Sequence, residues 1–297
     1  MALSRNMKGA LYMALSMVGF ACNDALIKAV SHETTVGQIM LIRGVMTTVL
    51  VFLIAWKMKA LRPLKVVANG PVALRVFFEV VAAIVFLAAL GNIPLANISA
   101  ILQSLPLAVT LGAALFLREP TGWRRWLAII IGFVGVLIII RPGPDGFTTA
   151  SLLGIACVFL AAGRDLATKR VPADIPSLMV TTVNAACVTL SGGLIALVMQ
   201  DWMPVTPRVF LHLACGSVFS LVGYQFVIAA MRTGEISFIA PFRYTGLIAS
   251  IALGMLFLGE TLDGFTVAGI VIVVLTGMYT FHREARLRRS RAAEVAA

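Results

Sequence analysis

Charge is what this sequence has least of. Of 297 residues only 12% are Asp, Glu, Lys or Arg, while 60% are hydrophobic; an ordinary soluble domain carries roughly 25% charged residues. So much apolar surface exceeds what one core can hide, which excludes a soluble domain and leaves a protein that faces lipid. Cysteine is scarce too. Cys22, Cys157, Cys187 and Cys215 each lie inside an apolar run, with no CxxC pair, which excludes a disulfide framework and a cysteine-based metal site. The three histidines, His32, His212 and His282, have no nucleophile or metal-ligand spacing around them. An intramembrane enzyme, the rival reading from another class, therefore has no histidine base to build on, and neither metal nor cofactor is expected. No GxxxxGK[ST] motif is present, so the chain itself does not hydrolyse ATP. Acidic residues are outnumbered 13 to 24, for a net charge of +11. The basic residues are not interleaved with aromatics on a polar surface, so this excess points away from nucleic acid.

What the chain does have is long apolar runs. Ten are expected to cross a bilayer as helices: about 8–30, 36–56, 70–91, 94–117, 124–140, 149–170, 176–199, 208–231, 235–258 and 264–281. The first run passes Cys22 into Asn23-Asp24 without a small-residue cleavage site, so it reads as a span rather than a signal peptide. Gly91-Asn92-Ile93-Pro94 and Arg141 to Gly146 supply turns. Trp56, Trp123, Trp126 and Trp202 sit near span ends as interfacial anchors. Seventeen of the 24 lysines and arginines fall in the two tails and the even-numbered loops; the opposite loops hold only Arg141 and Arg208. That bias places both termini in the cytoplasm.

A repeat runs through these spans. At an offset of 141, Ala21, Asp24, Lys28 and Val30 match Ala162, Asp165, Lys169 and Val171. On the same offset Leu115-Phe116-Leu117 matches Leu256-Phe257-Leu258, and Glu119 matches Glu260. Residues 8–140 and 149–281 therefore read as two five-helix repeats, followed by a basic cytoplasmic tail, 282–297. Five is odd, so the repeats enter the membrane from opposite sides. The expected fold is an all-α polytopic membrane protein, ten transmembrane helices in two inverted repeats around a central cavity, the recurring design of secondary transporters.

Spans four and nine are interrupted. Pro106 and Pro241 each remove a backbone donor, a break tolerated in lipid where protein or a wet cavity satisfies the freed groups. Gln103, Pro106 and Thr110 recur at helical spacing and give the fourth span a polar side; Arg243 and Tyr244 do the same beside Pro241. Charges within spans are costly and mark function. Asp24 with Lys28, and Asp165 with Lys169, are each a local i,i+4 ion pair or part of a gate. Arg75 and Glu79 lie one turn apart and are expected to pair structurally. Arg43, Arg164 and Arg243 tilt the balance inside the spans towards anionic or electron-rich cargo. Tyr224 and Tyr244 either stack on a flat ligand or fill helix interfaces. Glu119 and Glu260 read as helix caps. A proton entering through Asp24 or Asp165 and plain facilitated diffusion both fit these residues.

The paired five-span repeats, the proline-broken spans and the LFLREP and LFLGET endings resemble the drug/metabolite transporter superfamily, the EamA-type carriers, over nearly the whole chain. The resemblance implies a basket of helices around a cavity, with substrate-binding roles for Asp24, Gln103, Arg164, Tyr224, Arg243 and Tyr244. It implies a small-molecule substrate moved by alternating access across the bacterial inner membrane. Riboflavin uptake is the leading specific expectation; the alternative is an exporter or exchanger of amino acids, S-adenosylmethionine or carboxylates.

Overall fold

The computed structural model describes residues 4–66, 68–117, 122–141, 148–172 and 174–296, with backbone alone for Leu64, Ile236, Ser237 and 284–296. Among these residues every regular element is helical. The helices are α1 Arg5–Ala29, α2 Val36–Lys57, α3 Gly70–Asn92, α4 Leu95–Leu102, α5 Leu105–Phe116 and α6 Trp123–Ile140. The chain continues as α7 Thr149–Thr168, α8 Ser177–Met199, α9 Pro207–Thr233, α10 Ile236–Ile239, α11 Thr245–Phe257 and α12 Gly264–Ala296. Counting α4 with α5, and the stretch Ala240–Phe257 as one, ten are long and apolar enough to cross a membrane. The chain is a multi-pass membrane protein. Its large apolar side chains stand exposed where lipid would cover them, as with Leu190, Leu194, Leu197 and Val198 along α8.

Local chemistry sets the helix ends. Thr35 starts α2 with a capping box, its hydroxyl accepting from Gln38 N while Gln38 Oε1 accepts from Thr35 N. Asn69 caps α3 ahead of Pro71, and Thr148 caps α7. α12 does not stop at the membrane boundary. Its backbone stays helical through Ala296, so the basic segment expected as a separate tail continues the last helix.

Two compact units divide the chain, and neither is a contiguous half. One comprises Met1–Cys22, Pro94–Phe147 and Val222–Ala297; the other comprises Asn23–Ile93 and Thr148–Leu221. In the second unit α2 packs on α8 and α3 on α7. Gly37 abuts Ala196 while Gly44 abuts Thr189, so one helix advances as the other recedes. A Cβ at Gly192 would stand 2.7 Å from Leu41 N, so the backbones approach as only glycine permits. α2 and α8 are equivalents under the 141-residue offset, and at their crossing equivalent residues meet: Thr48 and Thr189 share a hydrogen bond of 3.0 Å. Val72, Ile175, Met179 and Val180 form an apolar cluster in this unit.

The first unit repeats the theme. α6 packs on α12, again repeat equivalents, through Gly135 and Gly269. The two broken spans also meet here, α4 against α11. Met13, Ala230 and Ile239 are buried together, and Ser16 Oγ donates to Gly223 O at 2.7 Å.

Candidate functional site

The buried and part-buried polar side chains of the second unit are spread over α1, α2, α3, α7, α8 and α9. Asp24 is half-buried on α1 and accepts a 2.8 Å hydrogen bond from Asn23 Nδ2. Asn23 is only 4% exposed, and its Oδ1 has no donor among the described residues. The bare backbone of Gly216 on α9 faces that oxygen: a Cβ there would lie 3.3 Å from it. Arg43 on α2 donates from Nη2 to Ser220 Oγ on α9 at 3.4 Å, and its charge acts on Asp24. Arg164 on α7 bonds two carboxylates. Its Nε and Nη2 meet Asp165 Oδ1 at 2.9 and 2.8 Å, and its Nη1 reaches Glu79 Oε2 of α3 at 3.5 Å. Cys157 is buried on α7 with its thiol 3.9 Å from Ala82 O of α3. Charges placed inside spans are costly, and here they are held by pairing and hydrogen bonds.

Several expected partners change. Glu79, expected to pair with Arg75 along α3, meets Arg164 from α7 instead, while Arg75 Nε donates to Thr168 Oγ1 at 2.9 Å. Asp165, expected against Lys169, accepts from its neighbour Arg164. Lys169 is the C-terminal cap residue of α7 and exposed. Lys28 Nζ donates to Leu90 O at 2.9 Å and Ile93 O at 2.6 Å, carbonyls at the end of α3 that lack helical donors.

The first unit holds the broken spans. α4 stops at Leu102 and α5 begins at Leu105, with Pro106 in its first turn, where a missing N–H costs nothing. Gln103 is the half-buried C-cap residue between them; Ser104 Oγ donates to Ile101 O, and Thr110 Oγ1 to Pro106 O. Pro241 lies in a 3-10 turn, Ala240–Tyr244, that leads into α11. Arg243 is exposed on that turn. Tyr244 is not. It is 7% exposed, its hydroxyl lies where a side chain at Gly277 of α12 would stand, and that hydroxyl has no partner among the described residues. In this structure the ring fills a helix interface, one of the two roles expected for it. Tyr224, by contrast, is 49% exposed and meets Phe20 edge to face at 5.0 Å.

Glu260 is a cap, though not of its own helix. Gly259, at φ +66, turns the chain after α11 so that both Glu260 oxygens accept from Leu95 N at 2.8 Å, the first residue of α4. Pro94 offers no side-chain cap there, so the carboxylate from one broken span closes the N-terminus of the other. Glu119 and the Arg141 to Gly146 link beyond Arg141 lie outside the described residues.

A profile of the EamA-like transporter family matches this sequence twice, over residues 7–141 and 148–281. The chain belongs to the EamA-like transporter family. The transporter is 28% identical to a riboflavin transporter of Vibrio cholerae over 95% of this chain and 96% of the relative. It is 26% identical to a pseudopaline exporter of Pseudomonas aeruginosa over 93% and 96% of the two chains. A solved crystal structure superimposes with a TM-score of 0.61 at 14% identity, covering 94% of this chain and 97% of that one, a likeness of fold. In the transporter, the second unit holds three polar contacts: Asn23 with Asp24 on α1, Arg43 of α2 with Ser220 of α9, and Arg164 of α7 with Glu79 and Asp165. Asn23 and Ser220 are neutral and escape a search for intramembrane charge; the only signal was Asn23 standing next to Asp24.

Proposed function

We propose that this transporter is a secondary carrier that moves riboflavin into the cell across the bacterial inner membrane by alternating access, with both termini in the cytoplasm. The observation that carries the cargo is the 28% identity, over 95% of the chain, to the riboflavin transporter of Vibrio cholerae. The chemistry is compatible. Riboflavin has a flat conjugated ring with carbonyl groups, suited to a guanidinium fork and to an aromatic edge. Asp24, Arg43 and Arg164 are the embedded polar groups assigned to it in the second unit; Gln103, Tyr224 and Arg243 are the assignments on the first. The two profile matches support reading residues 7–141 and 148–281 as the inverted repeats that rock against each other. Nothing in this mechanism requires a cofactor.

The test is uptake of labelled riboflavin by purified carrier in liposomes, and growth of a riboflavin-requiring strain on limiting vitamin. Uptake no faster than in empty liposomes, with no growth rescue, overturns riboflavin as cargo. A second reading has its own support in the 26% identity to the pseudopaline exporter: export of a polar metabolite. It predicts that cells overproducing the carrier lose an intracellular metabolite to the medium while riboflavin uptake stays at background.

A further inference from the structure

The polar residues of the two repeats carry the same three side-chain types in exchanged places. Under the 141-residue offset Asn23 corresponds to Arg164, Asp24 to Asp165, and Arg43 to Asn184. Each repeat therefore holds one Asn, one Asp and one Arg, but the Asn and Arg have swapped positions. The local geometry is kept through the swap. In both copies the residue before the aspartate donates to its Oδ1, Asn23 Nδ2 to Asp24 at 2.8 Å and Arg164 Nε to Asp165 at 2.9 Å.

The swap makes the two carboxylates unlike. Asp165 has a guanidinium one residue away on its own helix, so the pair moves with α7 as a unit whatever that helix does. Asp24 has a neutral amide in that place, and its arginine, Arg43, stands on a different helix, held by Ser220. Asp165 is thus ion-paired at 2.8 Å, while the hydrogen bond to Asp24 comes from a neutral amide. The other charged groups of the second unit are held in contacts of their own. On α1 itself Lys28 points its ammonium at the Leu90 and Ile93 carbonyls. α3 presents Glu79 and α7 presents Arg164 with Asp165. α9 presents the Ser220 hydroxyl and the Gly216 backbone. Beside the carboxylate, Asn23 Oδ1 is buried without a donor among the described residues, an acceptor that a water or hydronium entering this spot would satisfy.

We infer that Asp24, and not its repeat equivalent Asp165, is the carboxylate that takes up a proton on one side of the membrane and releases it on the other, coupling transport to the proton gradient. In the arrangement shown the Asn23 amide donates to the Asp24 anion; when α1 shifts, the proton joins an Asp24 oxygen and the acid is carried neutral. The balance is one proton bound and one released per cycle, with no other bond made. This inference rests on the transporter reading but not on which molecule is carried.

Two measurements test it. The first needs no substrate: infrared spectra of the reconstituted carrier, titrated from pH 8 to 4.5, are expected to show a protonated carboxylic C=O band that vanishes in Asp24→Asn and stays in Asp165→Asn. A band unchanged in Asp24→Asn, or lost only in Asp165→Asn, overturns the inference. The second uses labelled riboflavin. Wild-type counterflow is expected to vary several-fold across this pH range, Asp165→Asn to keep that variation, Asp24→Asn to lose it whether or not its rate falls, and Asp24→Glu to regain it. A pH profile in Asp24→Asn identical to wild type overturns coupling through Asp24. Absence of riboflavin counterflow in the wild type sinks the cargo alone, and the infrared band still decides the coupling.

Discussion

Arg164 stands between two carboxylates, and its removal takes the cation from both. The side chains of Glu79 and Asp165 keep 26% and 40% of their surface exposed, so Arg164→Ala is expected to cost about 1 kcal/mol, well short of a fully buried pair. Arg164→Ala with Glu79→Gln is expected to cost less than the two changes summed, because the double variant no longer strands Glu79; thermal unfolding in detergent measures the difference. Tyr244 makes the opposite prediction. Its buried hydroxyl has no partner among the described residues, so Tyr244→Phe should raise the unfolding temperature or leave it unchanged, and should transport as wild type does. A large loss of transport in Tyr244→Phe would instead support the cargo contact that is the other expected role of this residue. Both cases show where residue-level reading stops. Spacing along one helix reveals i,i+4 neighbours, so Arg75 beside Glu79 was legible, while the competing arginine on α7 was not. Likewise nothing in the order of residues told which side of the 3-10 turn carries Arg243 and which buries Tyr244.

Helices were far easier to foresee, because a span needs a long apolar run and the loops carry Gly, Pro and charge. The ten expected spans match the ten observed candidates to within a few residues. Proline marks the interrupted spans, but its position differs from the break itself: the helical hydrogen-bond pattern tightens at Gln103-Ser104, where the backbone stays right-handed helical, and Pro106 then opens α5. What the elements do to each other was legible only in type. A cap was expected of Glu260, yet its target, the first amide of α4, lies 165 positions earlier. Glu260→Ala should therefore destabilise by about 1 kcal/mol, and Glu260→Gln by less, since an amide oxygen still accepts. A second terminus gives a pH prediction. Asp263 accepts from Thr266 N at 2.7 Å at the start of α12 and bonds Arg141, which stacks on Phe265. The Thr266 backbone hydrogen bond above all, then its hydroxyl and Arg141, hold the Asp263 carboxyl below the usual carboxylate range. With the folded value depressed, its stabilisation is complete above about pH 4, the unfolded value, and is lost as pH falls through the folded one. Asp263→Asn should flatten that part of the acid-unfolding curve.

Across the whole molecule the legible quantity was the bias in basic residues. Reporter fusions at the two ends are expected to report the cytoplasm together, and a fusion at Gly143 the opposite face; ends on different faces would remove the inverted pairing of the repeats. Less visible from sequence was how the halves interleave, since each compact unit draws on both of them. The Thr48–Thr189 contact, 3.0 Å between residues at equivalent places, carries a historical consequence. Before the genes fused, those two hydroxyls belonged to one position, and a threonine can touch its own counterpart only across two molecules. On the inverted-repeat reading proposed above, an ancestral half met a second copy of itself along this helix, and the two halves should still pair there. Cutting the modern gene between residues 141 and 148 and expressing the pieces together should let them find each other again and co-purify.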